Sequence, residues 1–267
     1  MRDGGRIAAV LSRVPIGERG VRVVGDVRLF VASLDRLVAA LAWRFGWLER
    51  RERALVGRVV GPGMVAVDVG ANIGFHTILL ATRVGPAGRV HALEPAPANF
   101  RLLERAVAAG RLACVRLHRA AATDAPGPVT LHLSPTNRGD HRLAPAARPR
   151  ATATVPGVVL DALLAGEPRV DFVKIDVQGA EAAVLRGLAR TLAANPAIAV
   201  LCELCPALLA AGGAGADDVF APLRAAGLAP HLLARDGTPV PASEGEAWAA
   251  AVRAGWVNAF FARPARR

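Results

Sequence analysis

Residues 67–74, Val-Asp-Val-Gly-Ala-Asn-Ile-Gly, restrict the possible folds of this chain more than any other segment. The apolar run 65–69 precedes the glycines, as expected for a short parallel strand buried on both faces, and residues 75–84 have the pattern of a helix. A glycine at such a strand-to-helix turn lets the backbone approach a ligand closely, because a Cβ atom would occupy that space. The pattern therefore predicts a ligand-binding loop at the carboxyl end of a buried strand.

This loop departs from the dinucleotide-binding fingerprint Gly-x-Gly-x-x-Gly. Asn72 stands where the second glycine would admit a pyrophosphate, so the loop reads Asp-x-Gly-x-x-x-Gly from Asp68. This form suits the zwitterionic methionine moiety of S-adenosylmethionine, whose amino group Asp68 can hold directly or through water. We therefore expect Asp68, Gly70, Asn72 and Gly74 to bind that cofactor, and we disfavour a dinucleotide-binding or non-catalytic module.

Two further acids extend the predicted cofactor site. Glu94 follows the second predicted strand, about twenty residues after the loop, where a carboxylate can accept hydrogen bonds from both ribose hydroxyls. Asp124 follows the third predicted strand and can reach the adenine amino group, although a role in the turn before Pro126-Gly127 explains it equally well.

From Met64 onward, predicted strands and helices alternate, which indicates an α/β fold with a doubly wound, mostly parallel, Rossmann-like sheet. Before it, residues 21–31 predict a hairpin broken at Gly25-Asp26, and Ser33 is a candidate N-cap for a helix. We expect the apolar stripe of that helix to pack into the core; it comprises Leu34, Leu37, Val38, Leu41, Phe45 and Leu48. The chain thus divides into an N-terminal cap, residues 1–60, and a cofactor-binding catalytic domain, residues 61–267.

Four segments together resemble the FkbM family of methyltransferases: VAVDVGANIGFHT, GRVHALEP, FVKIDVQGAEAAVLRGL and Leu201-Cys202-Glu203. The resemblance runs from about Val21 to Pro264. It implies a class I, S-adenosylmethionine-dependent enzyme that methylates hydroxyl oxygens of sugars or polyketide-type natural products. Two departures could accompany a different substrate: residues 105–110 lack asparagines that the family often shows, and Gln178 stands where glutamate is common.

The acids at the ends of the fourth and fifth core strands, Asp176 and Glu203, are candidates for catalysis. Methyl transfer to a hydroxyl needs positioning and also removal of a proton, by a base or by a metal. Asp176 can be the base, orient the acceptor, or cap the helix that begins near Ala180. By analogy with catechol O-methyltransferases, Asp176 and Glu203 can also hold Mg²⁺. Glu181, in the first turn of that helix, is either a cap or a substrate-orienting group.

Two histidines and one lysine complete the candidates. His141 lies in the polar loop 134–149, on the expected substrate side, and is a plausible base as well as a plausible surface residue without a role. His76 begins the helix after the glycine loop, beside the expected substrate. Lys174 is expected to be an internal partner for an acid, because it lies on the same side of its strand as Asp176.

The net charge of +11 comes from arginine, since Lys174 is the only lysine among 33 basic residues. The arginines are scattered, no basic block alternates with aromatic residues, and the chain has no tyrosine to stack on bases. A nucleic-acid methyltransferase is the nearest alternative, but the chain has Asp176-Val-Gln-Gly where an Asn/Asp-Pro-Pro-aromatic motif would be usual. We expect a small-molecule or glycan acceptor and no nucleic-acid partner.

The remaining features favour a cytoplasmic protein of undetermined oligomeric state. The odd set Cys114, Cys202 and Cys205 does not suggest a disulfide framework, and the Cys-x-x-Cys pair lacks a second pair that would complete a zinc site. Residues 1–15 lack the apolar segment of a signal peptide. The apolar stretch 196–216 contains an acid, a proline and glycines, so we predict no transmembrane segment. A peripheral membrane role with the Ser33–Leu48 helix on the surface is disfavoured, because the apolar stripe of that helix is better explained by contact with the core.

Overall fold

The computed structural model describes residues 14–135, 137, 139–145 and 149–264. The signal-peptide prediction and parts of the 134–149 loop therefore lie outside the described residues. The described strands are β1 Pro15–Val24, β2 Val27–Ser33, β3 Val65–Val69, β4 Arg89–Leu93, β5 Val115–His118, β6 Ala121–Ala122, β7 Gly127–Leu133, β8 Ala151–Val158, β9 Phe172–Ile175, β10 Ala199–Leu204, β11 Ala229–Leu233, β12 Pro239–Pro241 and β13 Val257–Ala262. The described helices are α1 Leu34–Arg44, α2 Arg50–Val59, α3 Phe75–Val84, α4 Pro97–Ala109, α5 Leu160–Leu163, α6 Glu181–Arg186, α7 Ala189–Ala194, α8 Pro206–Ala211, α9 Ala216–Ala225 and α10 Glu244–Ala254.

A mixed sheet forms the centre of the described part of the chain, in the order β12-β11-β13-β10-β9-β3-β4-β5. The strands from β10 to β5 run parallel, and β13, β11 and β12 add an antiparallel edge. Every residue of β3 is buried, as its unbroken apolar pattern predicts for a central parallel strand. The predicted doubly wound, mostly parallel α/β fold is confirmed.

The strand order reverses between β3 and β9. The chain proceeds from β3 outward to β4 and β5, and later returns to β9 and β10 on the other side of β3. The helices that follow neighbouring strands then leave in opposite directions, so a crevice opens at the carboxyl ends of β3 and β9. This crevice is where an open α/β sheet of this kind binds its ligand.

A second sheet of three strands, β6-β8-β7, was not predicted from the sequence. Its strands are short and partly exposed, and their apolar residues form a small cluster of their own with Ala96. Leu131 is buried in that cluster and also borders the crevice. The small sheet therefore forms one wall of the candidate site.

The N-terminal hairpin β1-β2 has its turn at Gly25-Asp26, as predicted. Its inner residue Leu29 shares a hydrophobic cluster with Ile73, Ile78 and Leu102, which belong to the cofactor loop, α3 and α4. In the same way, Leu55 of α2 packs with residues of β3, β4 and α3. The division at residue 60 remains a prediction, since apolar packing is continuous across it.

The prediction for α1 is wrong about which face is buried. Arg36, Ala40 and Trp43 are the buried residues of this helix, whereas Val38 and Leu41 from the apolar stripe are exposed. The guanidinium of Arg36 has polar partners inside the molecule, and Trp43 supplies the apolar contact, so the less hydrophobic face turns inward. Ser33 occupies the N-cap position, but its side chain makes no capping hydrogen bond.

Three differences concern other helices. The helix predicted to begin near Ala180 is interrupted after Arg186, and the chain continues as α7 from Ala189. At the break, a Cβ on Gly187 would lie 2.3 Å from the Thr123 carbonyl oxygen, so glycine is required there. Helices α8 and α10 were not predicted. The sequence did contain a signal for α10, since Ser243 and Glu246 form a capping box at its start.

Within the described ranges, no helix is long and apolar enough to cross a bilayer. Cys114, Cys202 and Cys205 are free thiols, and Cys202 is fully buried in the core, as expected for a structural cysteine.

Candidate functional site

A cleft opens at the carboxyl ends of β3, β4 and β9. Its polar lining comes from the glycine loop, the strand ends, the 134–149 loop, the first turns of α3 and α4, and the segment before α2. It comprises Glu49, Asp68, Asn72, His76, Glu94, Asn99, His141, Lys174, Asp176 and Gln178.

The two glycines of the loop are required by the protein's own packing. Gly70 has φ +86°, and a Cβ atom there would lie 1.9 Å from the carbonyl oxygen of Asp176. Gly74 has φ +105°, and a Cβ atom there would lie 2.9 Å from Leu103 Cδ1. Gly70 borders the cleft, whereas Gly74 is not among its lining residues. Gly74 thus shapes the turn from β3 into α3, and its predicted direct contact with the cofactor is not supported.

Asp68, at the end of β3, is completely buried beneath the loop. Its Oδ2 accepts a hydrogen bond of 2.6 Å from the Thr77 hydroxyl. Its Oδ1 accepts no hydrogen bond within the described residues, and the ammonium of Lys174 lies 4.0 Å away. A buried carboxylate oxygen without a donor is costly, so this atom is suited to accept a hydrogen bond from a cationic ligand group in the cleft.

Glu94 follows β4 and faces the glycine loop. Its two oxygens accept hydrogen bonds of 2.8 Å from the backbone N–H groups of Asn72 and Ala96. Burial raises the pKa of Glu94 to about 7, although these backbone donors and the nearby charge of Arg36 act in the opposite direction. This carboxyl group can therefore change its protonation near neutral pH, and its carboxylate form can accept hydroxyl donors.

Arg36, which sequence reasoning missed, joins α1 to the cofactor loop. Its Nη2 donates to Asn99 Oδ1 at 2.6 Å and to Asn72 Oδ1 at 3.2 Å. Asn72 has φ +52°, in the left-handed region that asparagine tolerates, so this side-chain contact helps to hold an uncommon backbone conformation. The sequence held no local signal for this role, because Asn72 and Asn99 lie 36 and 63 residues away from Arg36 along the chain.

Asp176 and Glu203 lie close together, as predicted, but an amide bridges them. Gln178 Nε2 donates to Asp176 Oδ1 at 2.8 Å and to Glu203 Oε2 at 2.9 Å. Lys174 Nζ donates to the other oxygen of Asp176 at 3.3 Å. Asp176 borders the cleft, whereas Glu203 lies behind Gln178 and does not line it.

The protonation of this cluster follows from burial and charge. Burial, together with the charges of Asp176 and Glu181, raises the pKa of Glu203 to about 9. The neighbouring carboxylates Asp176, Asp68 and Glu49 raise the pKa of Lys174 against the opposing effect of its burial.

The expectation of Mg²⁺ at this position is not supported. The Gln178 amide directs its hydrogens at the two oxygens that a shared cation would need. Among the residues that the structure describes, no group of three or more His, Cys, Asp or Glu side chains is arranged to hold a metal.

Glu181 stabilises the turn that precedes α6 rather than capping the helix itself. Its carboxylate accepts from the backbone N–H of Gly179 at 3.0 Å and of Val177 at 3.2 Å, which fixes the sharp turn between β9 and α6. Burial raises its pKa to about 7, and the charge of Asp176 adds to this effect. The predicted capping bond is absent, and the carboxylate of Glu181 is occupied by the backbone of the turn instead.

Glu49 and His76 form a partly buried pair at the edge of the cleft, and Glu49 was not predicted as a site residue. His76 Nε2 lies 2.5 Å from Glu49 Oε2. Burial alone would raise the pKa of Glu49, but the charge and hydrogen bond of His76, together with Lys174 and Arg53, lower it to about 2. Glu49 precedes α2 and has φ +49°, in the left-handed region. A residue of the N-terminal region thus contributes a negative charge to the site.

His141 borders the cleft, and its role as a base stays a prediction. Its Nδ1 accepts a 3.0 Å hydrogen bond from the backbone N–H of Ser134. A neutral imidazole that accepts at Nδ1 carries its proton on Nε2, so Nε2 is a donor and cannot take up another proton without loss of this arrangement. His141 is therefore suited to donate a hydrogen bond.

Asp124 does not border the cleft, and its predicted contact with adenine is not supported. It is nearly half exposed and forms a 2.9 Å ion pair with Arg186. The chain turns away from the cleft after Ala122, whose neighbours Ala120 and Ala121 line the wall instead. Three small residues there leave room for a flat ring, but the alternation of the sequence did not show which side they would face.

The strand order and the cleft at its point of reversal define a Rossmann-like class I methyltransferase fold. The family model described as "Methyltransferase FkbM domain" matches residues 68–227. The chain belongs to this family and is an S-adenosylmethionine-dependent methyltransferase, which confirms the resemblance found in its motifs.

Solved structures provide a further comparison. An FkbM methyltransferase from Methylobacillus flagellatus KT is 14% identical over 98% of this chain and 58% of that chain, with a TM-score of 0.47. A precorrin-6y C5,15-methyltransferase from Geobacter metallireducens GS-15 is 13% identical over 81% of this chain and 89% of that chain, with a TM-score of 0.46. Trm5b from Pyrococcus abyssi is 12% identical over 94% of this chain and 56% of that chain, with a TM-score of 0.46. No curated protein sequence matches the chain significantly.

Proposed function

We propose that this protein transfers a methyl group from S-adenosylmethionine to a hydroxyl oxygen of a small-molecule or glycan acceptor, of the sugar or polyketide type. Two acids that line the cleft carry the cofactor part of this proposal, and the acceptor class is what the resemblance to the FkbM family implies. Asp68 offers a buried oxygen without a hydrogen-bond donor, and Glu94 offers a carboxyl group beside the glycine loop. These groups match the ammonium and the ribose hydroxyls of the cofactor.

In this proposal the cofactor is held by four residues that the sequence singled out. Asp68 accepts from the ammonium, Glu94 accepts from the ribose hydroxyls, and Gly70 and Asn72 form the loop beside them. Bound S-adenosylmethionine supplies an electrophilic methyl group on a sulfonium centre. The chain's own residues then have to orient the acceptor, exclude water and remove one proton.

Asp176 is our candidate for that proton acceptor. Its side chain is about one-third exposed, it borders the cleft, and it is oriented by Lys174 and Gln178. Glu203 acts through Gln178 and is a positioning residue in this scheme. In this scheme His141, at the border of the cleft, helps to position the acceptor, and the role of base is left to Asp176.

The experiment is a product assay with methyl-labelled S-adenosylmethionine and a panel of sugars, glycans, polyketide-type alcohols and RNA. We expect label on a hydroxyl oxygen of a non-nucleic-acid acceptor. The Asp176→Asn variant should lose about 100-fold or more in kcat, as expected for removal of a general base, while its affinity for S-adenosylhomocysteine stays within about threefold. Labelling of RNA alone, or full activity of Asp176→Asn, would contradict the proposal.

A further inference from the structure

Helix α1 carries an apolar stripe on the face opposite to the one that it buries. Arg36, Ala40 and Trp43 point inward. Val38, Leu41 and Phe45 follow one another at spacings of three and four residues, half a turn away from that inner face. They are 50%, 40% and 60% exposed, and Trp47 beyond the helix is 80% exposed. We call Val38, Leu41, Phe45 and Trp47 the α1 outer face.

The α1 outer face is organised rather than scattered. The rings of Phe45 and Trp47 lie 5.6 Å apart, and the guanidinium of Arg44 lies 5.9 Å from the centre of the Phe45 ring. Single exposed apolar residues are ordinary, but a contiguous set with two large aromatic rings indicates a binding surface.

The charges around the α1 outer face are of one sign. Arg44, Arg50 and Arg51 are exposed. The acids of the same stretch are engaged with the protein: Glu49, about one-third exposed, pairs with His76, and Glu52 is buried and accepts from Asn258 Nδ2 at 2.9 Å. The outer surface of this segment thus combines aromatic rings with guanidinium groups and lacks an exposed acid between residues 44 and 51.

We infer that the α1 outer face docks on an anionic lipid bilayer. Tryptophan and phenylalanine are suited to the headgroup boundary, and arginines beside them are attracted to anionic lipids. The excess of positive charge on the whole chain acts in the same direction. Glu49 of the cleft is two residues from Trp47, so docking would bring the mouth of the cleft close to the lipid surface. The inference rests on this face and does not depend on the identity of the methyl acceptor.

The test is co-sedimentation of the full chain with vesicles of equimolar phosphatidylcholine and phosphatidylglycerol, and with phosphatidylcholine vesicles. We expect binding to the anionic vesicles, weakened about tenfold or more by the double variant Phe45→Ser/Trp47→Ser, since two aromatic anchors are lost. The Arg50→Gln/Arg51→Gln variant should lose affinity mainly for the anionic vesicles. The control Val240→Ser/Val252→Ser removes two comparably exposed apolar side chains elsewhere and should bind like the wild type.

Failure of the wild type to bind anionic vesicles would overturn the inference, as would equal binding by Phe45→Ser/Trp47→Ser. A dimer in solution that this variant dissociates, without vesicle binding, would assign the face to a second copy of the chain and contradict lipid docking. Vesicle binding only after removal of residues 1–13 would also contradict lipid docking by the full chain, because the occupant of the face would then be the chain itself. Circular dichroism of each variant checks that the fold is retained, and affinity for S-adenosylhomocysteine should be unchanged throughout.

Discussion

At the scale of single residues, Glu94 links the cofactor site to pH. Its pKa is raised to about 7 by burial, whereas only the carboxylate can accept hydrogen bonds from both ribose hydroxyls. We therefore expect the affinity for S-adenosylhomocysteine to fall as the pH drops below 7, by up to about tenfold per pH unit. Calorimetric titration between pH 5.5 and 8.5 measures this. At high pH, Glu94→Gln should bind S-adenosylhomocysteine more weakly than the wild type, and its affinity should change less with pH. A pH dependence equal to that of the wild type would contradict this assignment.

Gly70 gives a second prediction, on stability. Alanine at this position combines a positive φ with a Cβ atom 1.9 Å from the Asp176 carbonyl oxygen, so the loop or β9 would have to move. We expect Gly70→Ala to lower the free energy of unfolding by about 3 kcal/mol or more and to abolish cofactor binding. Gly57→Ala is the matched control, because it lies in helix α2 with free space around its Cβ and should stabilise by about 0.5–1 kcal/mol. Equal unfolding midpoints in urea for the two variants would refute the argument.

Gln178 gives a third prediction, on metal dependence. Its amide donates hydrogen bonds to one oxygen of Asp176 and one of Glu203, the atoms that a shared metal ion would need. We therefore expect that removal of metal by EDTA leaves the methyl transfer of the wild type unchanged. Gln178→Glu replaces this donor by a third acid and should cost about 1–3 kcal/mol of stability. Mg²⁺ should raise the melting temperature of that variant and not that of the wild type. Loss of wild-type methyl transfer in EDTA, restored by Mg²⁺, would contradict this prediction.

At the scale of secondary-structure elements, the Glu49–His76 pair connects the segment before α2 to the start of α3. The pKa of Glu49 is lowered to about 2 in the folded chain, so its contribution to stability is fully present above about pH 4.5 and is lost as the pH falls towards 2. We expect Glu49→Gln to be less stable than the wild type at pH 6, with a difference that shrinks by pH 3. Urea unfolding of both proteins at the two pH values tests this, and a difference independent of pH would count against the pair.

Elements with a strong local pattern could be predicted from the sequence, and those that depend on tertiary contacts could not. Residues 65–69 are apolar without interruption, and β3 is buried throughout. For α1 the periodicity was correct but the orientation was not, because hydrogen bonds to Asn72 and Asn99 draw Arg36 inward. No local signal reports a partner that lies dozens of residues away.

The site shows the same limit. The loop and Glu94 could be placed because strand ends of a parallel sheet meet at one edge. The sequence could not show that the chain turns outward before Asp124, nor that Gln178 would lie between Asp176 and Glu203. Glu49 was missed because it lies in a connection with no motif of its own.

At the scale of the whole molecule, the N-terminal segment and the sheet share their hydrophobic packing. Leu29 of the hairpin is fully buried against Ile73, Ile78 and Leu102. We expect a single cooperative thermal transition, followed equally by calorimetry and circular dichroism. Leu29→Ala should lower the free energy of unfolding by about 2–5 kcal/mol and so lower the midpoint of this transition. The transition of the variant should remain single. A separate transition for residues 14–60 would instead show an independent domain.

The most direct test of the central claim, that the cleft binds the methyl donor through Asp68 and Glu94, is calorimetric titration with S-adenosylhomocysteine. The wild type should bind with one site per chain. Asp68→Asn and Glu94→Ala should each weaken binding by about tenfold or more, as expected for loss of a charged hydrogen-bond partner, while Asp124→Asn, outside the cleft, should leave it unchanged. No binding to the wild type, or equal loss in Asp124→Asn and Asp68→Asn, would contradict the account of this site.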